Sequence, residues 1–98
     1  MAGENIAMLS AAETAEAIKA RRVSPVEVVQ AYLERIDRLD SRLAAYITVC
    51  RKEALDAAAR AERLLAQGGE LGPLFGVPVA VKDQFWTRGI LTTNGSRV

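Results

Sequence analysis

The chain has 98 residues, half of them hydrophobic, with thirteen basic and twelve acidic side chains and a formal net charge of +1. It has no histidine and one cysteine, so a Ser-His-Asp or Cys-His pair, an internal disulfide and an ordinary zinc site are all excluded within it. Charge is spread evenly along the chain, so there is no basic patch of the kind that tracks nucleic acid and no acidic tail.

The start, MAGENIAMLS, lacks the basic and apolar regions of a secretory signal, and no stretch approaches the length of a transmembrane helix. A cytoplasmic protein is the expectation. Ser10-Ala11-Ala12-Glu13 is a capping box and predicts a short helix to about Arg22, with Leu9 placed to staple onto it. Ser24-Pro25-Val26-Glu27 repeats the signal, with proline at the first helical position. The helix it opens should run to about Asp40, with Val29, Tyr32, Leu33, Ile36 and Leu39 as one apolar stripe and Glu34 and Arg38 paired on the polar side.

Leu43 to Val49 contains Tyr46, Ile47, Thr48 and Val49, which favour extended structure, and predicts a strand. Cys50 in this context predicts an inert core thiol. An alanine-rich helix follows from Lys52 to about Gln67, with Ala54, Ala58, Ala61 and Leu65 on one face and Gly68 as its stop. The turn from Gly68 to Gly76 then separates a helical part, residues 1–70, from the beginning of a sheet core, residues 71–98. Val77 to Val81 predicts a short buried strand, with Pro78 at its first position and Lys82-Asp83 at its end. A loop rich in Gly, Thr, Asn and Ser follows. From this local pattern Lys82 reads first as the solvated end of a strand, with a presented catalytic group as the alternative. Phe85 and Trp86 read as packing under the loop, or as lining a pocket.

Gly72-Pro73-Leu74, Gly76-Val77-Pro78, Val81-Lys82-Asp83 and Thr92-Thr93-Asn94-Gly95-Ser96, taken together in this order, resemble the start of the amidase signature family. That family includes stand-alone amidases and the A subunit of the tRNA-dependent amidotransferases. Phe75 stands where many members have histidine, and Gln84-Phe85-Trp86 is not the commonest continuation, which leaves subgroup and substrate open. The resemblance implies an α/β fold, a mixed sheet surrounded by helices, of which this chain holds the N-terminal helices and the first core strand. One buried strand needs partners on both edges, which also predicts an N-terminal portion of a larger enzyme.

The chemistry that the resemblance implies is amide hydrolysis by a Ser–cis-Ser–Lys triad, with Lys82 as the lysine, no cofactor and no metal. A lysine that accepts a proton must be neutral, and burial at the end of an apolar strand favours the neutral form. Asp83 could balance a charged lysine or cap the loop by accepting from backbone amides. The second fits better, because adjacent side chains on a strand point to opposite faces. Ser96 reads as a structural turn residue, since the family's nucleophile lies further downstream.

The expected partner is a small-molecule amide substrate, with no membrane and no direct nucleic-acid contact; a homodimer is left open. The alternative within the family is the A subunit of a tRNA-dependent amidotransferase, with partner subunits, ATP and charged tRNA. The even charge leans toward the stand-alone amidase. Outside the family, the alternative is a small helical interaction module with no chemistry.

Overall fold

A computed structural model of the chain describes residues 3–83 and 85–93. Four helices come first: α1 (Gly3–Ala7), α2 (Ala11–Lys19), α3 (Pro25–Leu43) and α4 (Arg51–Gln67). The described residues beyond α4 form turns and irregular backbone, with one isolated antiparallel bridge between Thr87 and Ile90.

Both capping boxes form. The Ser10 hydroxyl accepts from the Glu13 amide at 3.0 Å while the Glu13 carboxylate accepts from the Ser10 amide at 2.9 Å. Ser24 and Glu27 make the same reciprocal pair at 3.1 and 3.3 Å, with Pro25 as the first residue of α3. Thr14 is fully buried inside α2, and its hydroxyl donates to the Ser10 carbonyl at 2.8 Å. The end of α2 is a Schellman turn without a glycine: the Arg22 amide donates to the Ala17 carbonyl and the Arg21 amide to Ile18, with Arg21 at φ +61°. That turn aims the Arg21 guanidinium at the C-terminal end of α4, where it donates to the Leu65 carbonyl at 3.0 Å. Gly68 closes α4 with φ +77°, as its sequence position predicts.

Helix α3 is the centre of the packing. Its Val28 and Ala31 join Ile6 of α1, Ala17 and Ile18 of α2 and Val23 in one core, with Tyr32, Leu65 and Phe75 packed at its edge. Its Val29 and Leu33 meet Ala58 of α4 in a second, flanked by Val26, Ala54 and Leu55. The predicted single stripe is therefore one of two buried faces. The other, through Val28 and Ala31, exists because α1 and α2 cover it, and α1 itself carries no sequence signal strong enough to predict.

Two predicted strands are not formed among the described residues. Leu43 ends α3, the segment 44–49 is irregular, and Leu43, Tyr46, Ile47 and Val49 are exposed. The physical reason lies at the end of α3. Ala44 adopts φ +50°, and the Asp40 carboxylate takes the amides of Ala45 and Tyr46 at 2.7 and 3.1 Å. Those amides are then spent on a turn and are lost to a ladder. Cys50 is half-buried at the start of α4 rather than in a core, and makes no capping bond there. The segment 77–81 runs extended but unpaired, because no neighbouring strand stands among the described residues to accept its hydrogen bonds. Val79 and Val81 are 77% and 60% exposed, against the expected burial.

Gly76 decides where that segment leaves the helices. It has φ +81°, and a Cβ there would lie 2.9 Å from Cδ1 of the fully buried Ile18 and 3.5 Å from Cγ of Pro25. Gly69 shares the positive φ, at +93°, but has open space around it. Alanine at either position meets backbone strain, and only at Gly76 does it also meet a packed core. Gly76→Ala should therefore destabilise the helical part by about 1–3 kcal/mol more than Gly69→Ala, measured by urea unfolding followed by circular dichroism. Equal costs would show that Gly76 does not bear on Ile18.

The first capping box also sets a pH dependence. Hydrogen bonds from the Ser10 backbone and side chain hold the Glu13 carboxyl below its ordinary value of 4.5. A lowered folded pKa means that this stabilisation is complete above the unfolded value and is lost as pH falls through the folded one. The N-terminus of α2 should fray as pH falls below that ordinary value and through the lowered one, read from the Glu13 and Thr14 amide shifts by NMR. Glu13→Gln keeps an acceptor and should remove the pH dependence; an unchanged titration in that variant would refute the assignment.

Candidate active site

The approach to Lys82 is built in three steps. The first is a pair of tight turns, in which the Phe75 amide donates to the Gly72 carbonyl at 3.2 Å and the Val77 amide to Leu74 at 3.1 Å. These turns place Phe75 against the α2–α3 core and Gly76 against Ile18 and Pro25. Phe75 is thus a packing residue in this structure. The second step is the run from Val77 to Lys82, which has no regular secondary structure and is exposed from Val79 onward.

The third step is a return of the chain to Asp83. The Asp83 carboxylate accepts from the Thr93 amide at 2.9 Å through one oxygen and from the Thr93 hydroxyl through the other. The loop-capping role expected for Asp83 is present, and its partner, which no local pattern identifies, is Thr93. The Lys82 carbonyl accepts from the Phe85 amide at 3.2 Å. The Phe85 carbonyl in turn accepts from the hydroxyls of Thr92 at 3.0 Å and Thr87 at 3.4 Å. Two adjacent threonines thereby tie back to the turn that begins at Lys82. The signal for this is the Thr92-Thr93 pair itself, visible in the sequence as part of a motif but without a structural assignment.

Lys82 is exposed, which corrects the expectation that an apolar strand would bury it. The cause is the same missing ladder that leaves Val79 and Val81 open to solvent. Trp86 is 94% exposed and Phe85 is also exposed, so neither packs under the loop. Ser96, together with Asn94 and Gly95 of the same motif and Gln84 beside Asp83, lies outside the described residues. Among the described residues no three Cys, Asp or Glu side chains gather as they would around a metal ion, and no helix is long and apolar enough to cross a membrane. What the geometry offers chemically is a primary amine on a short arm, with Gly76 seated on the helical core before it and Asp83 tied to Thr93 after it.

A family model described as Amidase matches residues 27–98, from the first turn of α3 through the whole Lys82 segment. The chain belongs to the amidase family. Among its curated relatives, the A subunit of glutamyl-tRNA(Gln) amidotransferase from Cutibacterium acnes is 50% identical over 90 residues, 92% of this chain and 18% of that protein. The protein of the same name from Geobacter sulfurreducens is 59% identical over 78 residues, 80% of this chain and 16% of its own length. That of Salinispora arenicola is 48% identical over 94 residues, 96% of this chain and 19% of its own. This amidase-family chain therefore spans less than a fifth of the length of these relatives. No solved structure matches it significantly.

The exposed, unpaired arm has a measurable consequence in the 98-residue chain. Amides of Val79 and Val81 should exchange with solvent at least about a hundredfold faster than those of Val28 to Leu33 in α3, because local opening there breaks no ladder and uncovers no core. Hydrogen exchange followed by NMR checks this, and comparable protection in the two segments would contradict it.

Proposed function

We propose that this chain is the N-terminal part of an amide-cleaving enzyme in which Lys82 is the proton acceptor of a Ser–cis-Ser–Lys relay. The observation that carries the reading is the family match, which runs through Val81-Lys82-Asp83. The placement of Lys82 supports it, since an amine set between two anchored segments suits a group that must meet a proton donor at fixed distance. The two serines would come from sequence after Val98. One attacks the carboxamide carbonyl; the second, on a cis peptide, passes the nucleophile's proton to the Lys82 amine. The proton then returns to the leaving nitrogen, which departs as ammonia or an amine. The sheet that completes the α/β core would supply ladder partners for 77–81 and cover Lys82.

Within that chemistry the amidotransferase reading is favoured over the stand-alone amidase. The relatives that carry the amidotransferase name are 48–59% identical over most of this chain, which outweighs the lean that even charge gave toward the amidase. On this reading the amide is hydrolysed to release ammonia for transfer. Partner subunits, ATP and charged tRNA act with the complete protein.

Substitution at Lys82 in the complete protein tests the role. Lys82→Ala removes the base and should lower the rate of amide hydrolysis by about 10²–10⁴-fold. Lys82→Arg keeps charge and reach, but arginine does not deprotonate in a protein, so it should fail almost as badly. A folded Lys82→Arg protein with near-normal turnover would exclude Lys82 as the proton acceptor.

A further inference from the structure

The two anchors of Lys82 are unequal in reach. Upstream, Gly76 is seated on the helical core at Ile18 and Pro25. Six residues of extended chain span up to about 20 Å, so that anchor by itself leaves the amine a wide arc. Downstream, fixation begins at the very next residue. Asp83 holds the amide and the hydroxyl of Thr93, and the Lys82 carbonyl holds the Phe85 amide.

We propose that the Asp83–Thr93 clasp is the positioning device for Lys82, with Asp83 and Thr93 as positioning residues that act through the backbone. The proposal rests on Lys82 being the reacting amine. Its geometry is particular. Both oxygens of one carboxylate are committed to a residue ten positions along the chain, which closes the loop immediately beside Lys82. Thr92 adds a second tie, from its hydroxyl to the Phe85 carbonyl, so the returning strand of the loop is stitched to both ends of the Lys82–Phe85 turn. The loop carries Trp86 and Leu91 exposed, so side-chain burial does little to hold it, and its shape depends on these polar bonds. Hydrogen bonds to a carboxylate are about twice as strong as neutral ones, which makes Asp83 the natural centre of the stitch. On this proposal Asp83 sets where Lys82 is, through the backbone that the Thr93 bonds fix.

The two roles differ in their readouts, tested in the complete enzyme with a simple amide substrate. With Asp83→Ala, positioning predicts kcat lower by about 10²-fold, KM within about threefold, and the pH at which the acidic limb of kcat turns unmoved. Thr93→Ser, which keeps both donors, should restore near-normal kcat, whereas Thr93→Val, which keeps only the amide, should fall between. A shifted acidic limb in Asp83→Ala would overturn the proposal in favour of direct electrostatic pairing. Normal kcat in folded Asp83→Ala, a loss that only tracks the folded fraction, or Thr93→Ser as impaired as Thr93→Val would also overturn it. A readout independent of activity separates the clasp from the role of Lys82. In the 98-residue chain, Asp83→Ala should speed exchange of the Thr93 amide by about tenfold; an unchanged rate would overturn the clasp even if Lys82 proves essential. Active Lys82→Arg with the Thr93 effect present would instead remove the reading of Lys82 on which the proposal rests.

Discussion

Ile18 is the side chain on which the rest of this structure bears. It is fully buried at the end of α2, touches the α3 core through its cluster with Val28 and Ala31, and lies directly beneath the backbone of Gly76. Because Gly76 has no Cβ, the turn before Lys82 settles onto Ile18 and Pro25 at a distance where a Cβ would force Ile18 to shift. The corner between α2 and α3 thus does two jobs. It completes the helical core, and it is the seat from which the extended arm of Lys82 departs.

That seat depends in turn on how α2 ends. Arg21 sits at positive φ, where glycine would be the ordinary choice. The strain, about 1 kcal/mol for a non-glycine residue, comes with a guanidinium that reaches the last turn of α4 and adds a second donor to the Leu65 carbonyl, which also accepts from the Gly68 amide. A glycine would relax the turn and lose the link between α2 and α4. The surface pair of Arg51 and Asp37 adds a second tie, between α3 and the start of α4. It is exposed, and contributes at most about 1 kcal/mol.

Beyond Gly76 the forces change in kind. The helical part is held by buried apolar side chains, whereas the Lys82 segment is held by turns and by hydroxyls and amides that donate to Asp83 and Phe85. Its apolar residues, Val79, Val81 and Leu91, face solvent. Rigidity near Lys82 therefore comes from directional polar bonds, which fix geometry over a few residues without needing a core.

Local chemistry let the sequence by itself determine three of the helices, α2, α3 and α4. Ser10 with Glu13 and Ser24 with Glu27 mark two starts, Gly68 marks a stop, and Val29 with Leu33 marks one buried face, because caps and helical periodicity depend on residues within a turn or two of each other. The family was legible for the same reason: the Gly-Pro-Leu, Val-Lys-Asp and Thr-Thr elements are each a few contiguous residues. Tertiary structure decided what depends on a distant partner. Val28 and Ala31 are core because α1 and α2 cover them, Thr93 is the partner of Asp83 because the chain folds back ten residues, and Arg21 reaches α4 across the fold. The same dependence explains the misread strands. Tyr46–Val49 and Val77–Val81 have the side chains of strands, but a strand exists only when another strand takes its backbone hydrogen bonds. In the first segment Asp40 captures the amides, and in the second the described residues supply no partner.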